Sequence, residues 1–363
     1  MNSKIENIRI HCFDYARDRI IGDSQIASSR VWIGALEIFD GDGLSGLGFF
    51  QSLTAPLPNA SFIRQLLEAS GIQGMVNQAP ESLIHQVTRP RGGNIQSLPY
   101  HLDQAIDQAL WDLVAKRAEL PLYQLLGGTE SKVKAYGSGV CFHLSDEQVF
   151  DFYSDAIKHN FSGYKVKVGH QDISRDIGRL KQIVEIVGQD KLIMVDANEA
   201  WSPKEAIAKI KQFEGAGIPI YWVEDPILRT DIAGLKEVKQ ALTNTHLNAG
   251  EYLNLAGKKS LVDNDAADVI NIHGDFSSAL RIGWLCAEKG MPIALGNTPM
   301  EMGVHIASAL PEVLYTEHSM LNWDYIVDSP FNINQGYIEL PSQAGHGLTL
   351  SKDAIAELKP SVS

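Results

Sequence analysis

Between Gly163 and Glu251 the chain carries four short apolar runs, each ending at a charged residue. They read Gly-Tyr-Lys165-Val-Lys167-Val-Gly, Met-Val-Asp196-Ala-Asn198-Glu, Tyr-Trp-Val-Glu224-Asp225-Pro and Asn-Ala-Gly-Glu251-Tyr. Lys167 to Asp196 is 29 residues, Asp196 to Glu224 is 28, and Glu224 to Glu251 is 27. That interval holds one strand, one helix and two loops, and so predicts a βα repeat. Eight such units close into a TIM barrel, whose chemistry gathers where strand C-termini meet their loops. Three carboxylates on consecutive strand ends would converge there. They repel one another unless a cation neutralises them, and oxygen ligands with room for water and substrate suit Mg²⁺.

The Lys-x-Lys pair followed by three acids at one-repeat spacing resembles the enolase superfamily, and within it the mandelate racemase-like group. The resemblance spans nearly the whole chain. It implies a modified (β/α)8 TIM barrel of the (β/α)7β type, with an α+β capping domain built from both termini. It also implies a Mg²⁺-dependent enzyme that abstracts the proton α to a carboxylate. Lys167 is then the base, while Lys165 holds the substrate carboxylate and helps depress Lys167. Asp196, Glu224 and Glu251 become the metal ligands.

The rest of the chain accommodates this plan. Residues 5–12 alternate like a strand, and residues 31–39 and 44–50 flank Asp40-Gly41-Asp42-Gly43, a hairpin signal. Residues 18–30 are polar and Ser-rich and read as a loop; the resemblance makes it a mobile lid and residues 51–58 a second capping loop. Residues 61–70 and 80–88 read as helices, and Arg89-Pro-Arg91-Gly-Gly breaks the pattern. A longer helix follows from about Leu98, with Leu102, Ile106, Ala109, Leu110 and Leu113 on one stripe. Gly127-Gly128 marks the domain boundary, giving a cap over residues 1–128, a barrel over 129–325 and a returning tail over 326–363. Barrel strands are expected near 133–141, 163–168, 192–197, 219–224, 247–250, 268–273, 292–296 and 313–317. Ser145 and Gln148 form a capping-box pattern for the helix from Asp146.

Lys165 and Lys167 alternate with Val166 and Val168, so both point to the same side of their strand. In a barrel that side is the interior, where two nearby ammonium groups depress each other's pKa. Asp225 and Asn198 stand beside the ligands and are expected to support them. Beyond the fifth strand the chain departs from its relatives, which carry a His–Asp dyad on strands six and seven. Strand six here reads Val-Ile-Asn-Ile-His273-Gly-Asp275, and strand seven ends at Gly296-Asn297. His273 is therefore a candidate acid/base, with a structural histidine as the alternative. Glu317 at the end of strand eight, His143 after strand one and Asn297 are candidate substrate contacts. His305 lies in an apolar helical stretch and reads as a core histidine.

With the dyad missing, dehydration of a sugar acid or similar polyhydroxy carboxylate is the expected reaction. Epimerisation, cycloisomerisation and a non-catalytic ligand-binding role are the alternatives. A net charge of −13 argues against a nucleic-acid surface. The longest apolar runs fall short of a membrane span, and the N-terminus lacks a signal-peptide core. Cys12, Cys141 and Cys286 are too few and too scattered for a disulfide framework and suit reduced thiols in a cytoplasm. The expected partner is a small carboxylate, handled by a homo-oligomer.

Overall fold

The computed structural model describes residues 3–69, 75–87, 98–296, 298–319, 324–329 and 331–363. The first fifty residues alternate apolar and polar side chains and build an antiparallel sheet. β1 (Ile5–Gly22) pairs with β2 (Ala27–Asp40), which pairs with β3 (Ser45–Ser52). The β2–β3 turn is the expected one: Asp40 Oδ1 accepts from the amides of Asp42 (3.1 Å) and Leu44 (2.9 Å).

Residues 18–30 correct the loop expectation. They form the far end of the β1–β2 hairpin, and only Asp23–Ile26 turn, with Asp23 Oδ1 accepting from the Gln25 amide at 2.7 Å. Polar composition misleads here because this end is a ribbon with a solvated face: Asp14, Ala16, Asp18 and Ile20 alternate outward. Residues 53–59 do form a loop, ending where Asn59 Oδ1 accepts from the Phe62 amide in α1 (Ala60–Ala69).

After α2 (Pro80–Val87), the Arg89–Gly93 break lies outside the described residues. α3 (Leu102–Arg117) lies on the sheet with Leu102, Ile106, Ala109, Leu110 and Leu113 buried. It can approach because β3 carries Gly46 and Gly48. A Cβ on either would stand 1.9 Å from the carbonyl oxygen of Ala109 or Ala105. α3 also satisfies the outer edge of β3. The Leu47 amide donates to Asp112 and the Phe49 amide to Gln108, both at 2.9 Å.

The short α4 (Leu122–Leu125) leads into the barrel. Its strands are β4 (Lys132–Ser138), β5 (Gly163–Lys167), β6 (Leu192–Asp196), β7 (Ile220–Glu224), β8 (His246–Ala249), β9 (Val269–Ile272), β10 (Ile293–Leu295) and β11 (Val313–Ser319). Every neighbouring pair is parallel and β11 closes the ring on β4. The intervals hold α5 (Asp146–Ala156), α6 (Ile173–Val187), α7 (Pro203–Gly215), α8 (Ile232–Ala241), α9 (Leu255–Asp263), α10 (Phe276–Glu288) and α11 (Gly303–Ala309). Among the described residues no barrel helix follows the last strand, which is the (β/α)7β form. Ser145 and Gln148 make both bonds of the capping box on α5.

Inward side chains fill the barrel below its mouth. Tyr136, Met194, Trp222, Val269, Ala294 and Tyr315 pack into one apolar floor.

The tail adds β12 (Val327–Asp328), β13 (Asn332–Asn334), β14 (Tyr337–Glu339), β15 (Thr349–Leu350), α12 (Lys352–Leu358) and β16 (Ser361–Val362). β14 pairs antiparallel with β4, and β16 pairs with β1, so both termini build the cap sheet. Cap and barrel are tied by buried polar bonds. Asp107 on α3 accepts from the Ser277 amide of α10 at 3.1 Å, and Trp111 Nε1 donates to Ser277 Oγ at 2.9 Å. The core-histidine reading of His305 holds: it is fully buried, and its Nε2 donates to the His346 carbonyl at 3.2 Å.

Candidate active site

Four consecutive strands deliver the polar groups of the mouth. Alternation along β5 turns Lys165 and Lys167 inward, and β6, β7 and the residue pair after β8 present Asp196, Glu224 and Glu251. Carboxylate oxygens of these three acids lie within 4.8 Å of one another, and all three residues are buried. Such a cluster of hard oxygen ligands fits Mg²⁺.

The lysines interleave with the acids. Lys165 Nζ reaches Glu224 Oε1 at 2.7 Å, Glu317 Oε2 at 3.2 Å and Asp196 Oδ2 at 3.6 Å. Lys167 Nζ reaches Asp196 Oδ2 at 2.5 Å and Asn198 Oδ1 at 2.7 Å. This revises the expectation that the two ammonium groups depress one another. Burial and their mutual repulsion do work against the charged forms, but the carboxylates prevail. Glu224 and Glu317 lift Lys165 well above the ordinary lysine range, and Asp196 lifts Lys167.

The acids divide unequally. Burial pushes Glu224 well up despite Lys165, and pushes Glu251 to about 8 with help from the charges of Glu317 and Asp196. Asp196 is buried too, yet Lys167 and Lys165 hold it below the usual carboxylate range.

Supporting residues fix the acids in place. Asn198 donates its amide to Asp196 Oδ1 at 3.0 Å, and Asp225 Oδ1 accepts the Gly250 amide at 2.9 Å. Asn198, Glu199 and Asp225 all adopt positive φ (47°, 64° and 37°), strain of the kind that collects at functional sites.

Two further supports were not legible from the repeat. Asn248 Nδ2 donates to Glu224 Oε2 at 3.2 Å. Lys258 on α9, only 4% exposed, donates to the carbonyl oxygens of Gly250 and of Glu251, the latter at 3.0 Å. Its one available signal was a lysine three residues before Leu261 on the inner stripe of an amphipathic helix.

The remaining candidates are distributed around the rim. His273 follows β9, which is four strands from β5 on the eight-strand ring and therefore opposite it. Its ring stands 5.4 Å from that of Tyr252, over which the Arg229 guanidinium lies at 4.9 Å. Glu317 is buried beside Lys165. His143 Nε2 donates to the Ile26 carbonyl at 2.7 Å, binding the hairpin tip. The same tip donates from Ser24 Oγ to the Ala197 carbonyl (3.2 Å) and from Gln25 to that of Asn198. Asn297 lies outside the described residues.

Beyond Glu251 the mouth continues into a cavity of about 180 Å³ between barrel and cap. Its walls include His273, Tyr252 and Lys258 from the barrel and His101, Asp103 and Gln104 from the cap.

Comparison with known proteins places this geometry. Residues 149–354 match the "Enolase C-terminal domain-like" family, and residues 32–127 match the "Mandelate racemase / muconate lactonizing enzyme, N-terminal domain". An arabinonate dehydratase of Saccharolobus solfataricus is 32% identical over 269 residues, 70% of this chain and 71% of its own. A crystal structure of a mandelate racemase-type protein from Mesorhizobium loti is 45% identical, with a TM-score of 0.92 over 98% of this chain and 94% of that one. The L-talarate/galactarate dehydratase of Salmonella typhimurium LT2, solved with Mg and L-lyxarohydroxamate, is 26% identical, with a TM-score of 0.86 over 98% and 93% of the two chains. The buried triad, the closed barrel and the cap built on it agree with these relatives, and Mg²⁺ is the cofactor they point to. The protein belongs to the mandelate racemase/muconate lactonizing enzyme-like group of the enolase superfamily.

Proposed function

We propose that the protein removes the proton α to the carboxylate of a polyhydroxy acid and expels the β-hydroxyl as water. One observation carries this reading: Lys167 and His273 stand on opposite walls of a mouth whose floor is apolar and whose centre holds three carboxylates. Lys167 Nζ takes the α-proton, and the C–H electron pair passes into the enediolate. Lys165 supplies positive charge to the substrate carboxylate, with Glu317, His143 and Asn297 as further substrate contacts. His273 gives a proton to the β-hydroxyl as the C–O bond breaks. Water leaves, and the enol that remains tautomerises to a 2-keto-3-deoxy acid. Asp196, Glu224 and Glu251 would hold Mg²⁺, which would supply positive charge against the carboxylates that raise both lysines and against the negative charge developing on the substrate.

A positioned acid contributes about 10²–10⁴-fold to such a step. His273→Asn should therefore keep exchange of the α-proton with solvent while keto-acid formation falls by about that factor. An epimerase using His273 as its second base is the other reading that opposed walls support. In that case the variant exchanges one epimer and fails on the other, with no keto acid from either protein. Undiminished keto-acid formation by His273→Asn removes the residue from the reaction. A ligand-binding role is disfavoured by Lys167, because a part-buried second lysine beside Lys165 adds cost without a proton to move. The free thiols of Cys12, Cys141 and Cys286 support a reducing compartment.

A further inference from the structure

The relatives do not decide how the substrate ends. Arabinonate carries one carboxylate, whereas talarate and galactarate carry one at each end. The cavity beside Glu251 does bear on this, because whatever lies past the reacting carbons must enter it or turn away. Its charged lining is uneven. Asp103 comes from the first turn of α3, and Asp275 caps α10, where it accepts the Ser278 amide at 2.6 Å. Burial pushes Asp103 to about 6, with the charge of Asp275 adding to the rise, and burial also pushes Asp275 upward.

Among the described residues, the basic groups that line the cavity are Lys258, His101 and His273, and His273 is assigned above to the reacting β-hydroxyl. Lys258 spends its ammonium on the Gly250 and Glu251 carbonyls. His101, though exposed on one side, is shifted toward its neutral form by desolvation. Arg229 is paired with Glu199, and Arg281, whose charge favours ionised Asp275, does not line the cavity. Gln104, Asn254 and Ser278 add neutral groups able to bind hydroxyls. Asp103 Oδ1 is buried with no hydrogen-bond partner among the described residues, so an acceptor is already available.

We infer that the cavity formed by Asp103, Gln104, Asp275 and Ser278 receives an uncharged, hydroxyl-bearing chain, so that the substrate is a polyhydroxy monocarboxylate and not a dicarboxylate. A second carboxylate would meet two like charges, and among the described lining residues the one lysine, Lys258, already points its ammonium at the Gly250 and Glu251 carbonyls. A terminal hydroxyl would donate to the same acids. This inference rests on the reaction proposed above, and it names the substrate class of that site.

The test uses the full-length protein with Mg²⁺ and matched pairs of sugar acids. Each pair shares its stereochemistry at the reacting carbons and differs only in whether the far carbon bears a hydroxyl or a carboxylate. α-Proton exchange in deuterated water and keto-acid release are followed for both. The expected result is a kcat/KM at least about tenfold higher for the monoacids. Asp103→Asn, close to isosteric, should narrow that ratio mainly through KM for the diacid, while circular dichroism and melting temperature confirm a folded protein. Preference for the diacids in the wild type overturns the inference yet leaves the proton-abstraction reading intact. A ratio unmoved by both Asp103→Asn and Asp275→Asn overturns it as well. Absence of exchange with every member of both series contradicts the proposed reaction itself, and the inference falls with it.

Discussion

At the scale of single residues, the site balances clustered carboxylates against two ammonium groups. Asp196, Glu224 and Glu251 were legible because a βα repeat makes spacing along the chain into adjacency around a ring. Lys258 and Asn248 were not, since nothing in a helix or an alternating strand says which polar side chain will meet the Gly250 and Glu251 carbonyls or the Glu224 carboxylate. Glu224→Gln should abolish the Mg²⁺-induced rise in melting temperature, which for the wild type at a hundredfold excess over Kd reflects about 2.7 kcal/mol. An equal rise in both proteins would remove Glu224 from the metal site. Lys258→Met should leave the fold in place but weaken Mg²⁺ binding by about tenfold or more in calorimetry. It leaves two buried carbonyls without their donor, a loss of about 1–3 kcal/mol. Lys258→Arg should recover part of the affinity. Glu251 predicts a pH dependence. Its carboxyl titrates near 4.5 when exposed and near 8 in the metal-free fold. The folded state therefore binds that proton more tightly, and metal-free stability falls as pH rises from about 4.5 to about 8. Melting temperatures measured across that window with a chelator should decline, and Glu251→Gln should flatten the decline.

At the scale of elements, period and punctuation carried most of the architecture. All eight barrel strands fall within a few residues of the expected spans, because each is a short apolar run between turn residues. The hairpin tip was misread for a physical reason: a two-stranded ribbon reaching across a mouth has little core to face, and its sequence is polar like a loop's. That tip is held by His143 and by carbonyls of the β6–α7 loop, directly beside Asn198. His143→Ala should raise KM and speed amide exchange in residues 20–28 while changing the melting temperature little. A large stability loss with unchanged KM would make the contact structural only. Ser145→Ala is the control, expected to cost about 1 kcal/mol of stability through the lost cap without touching KM.

At the scale of the whole molecule, two layers share one site, and the cavity that continues it has walls from both. The joint is polar and buried, with Asp107 and Trp111 of the cap meeting Ser277 of the barrel. The sequence announced α3 as a helix with one buried stripe. It could not announce that Asp107, which also ends up fully buried, would bond across to α10, since long-range pairing leaves no local period. Asp107→Ala should cost about 1–3 kcal/mol in denaturant unfolding, because it leaves the Ser277 amide unpaired. The central claim remains the chemistry at the mouth, and α-proton exchange reads it without requiring that the product be known. With Mg²⁺ in deuterated water, the wild type should wash the α-proton out of at least one polyhydroxy monocarboxylate, as seen in its proton spectrum. Lys167→Ala should leave that signal intact while still binding Mg²⁺. Exchange that persists in Lys167→Ala at a rate near the wild type's would contradict the account.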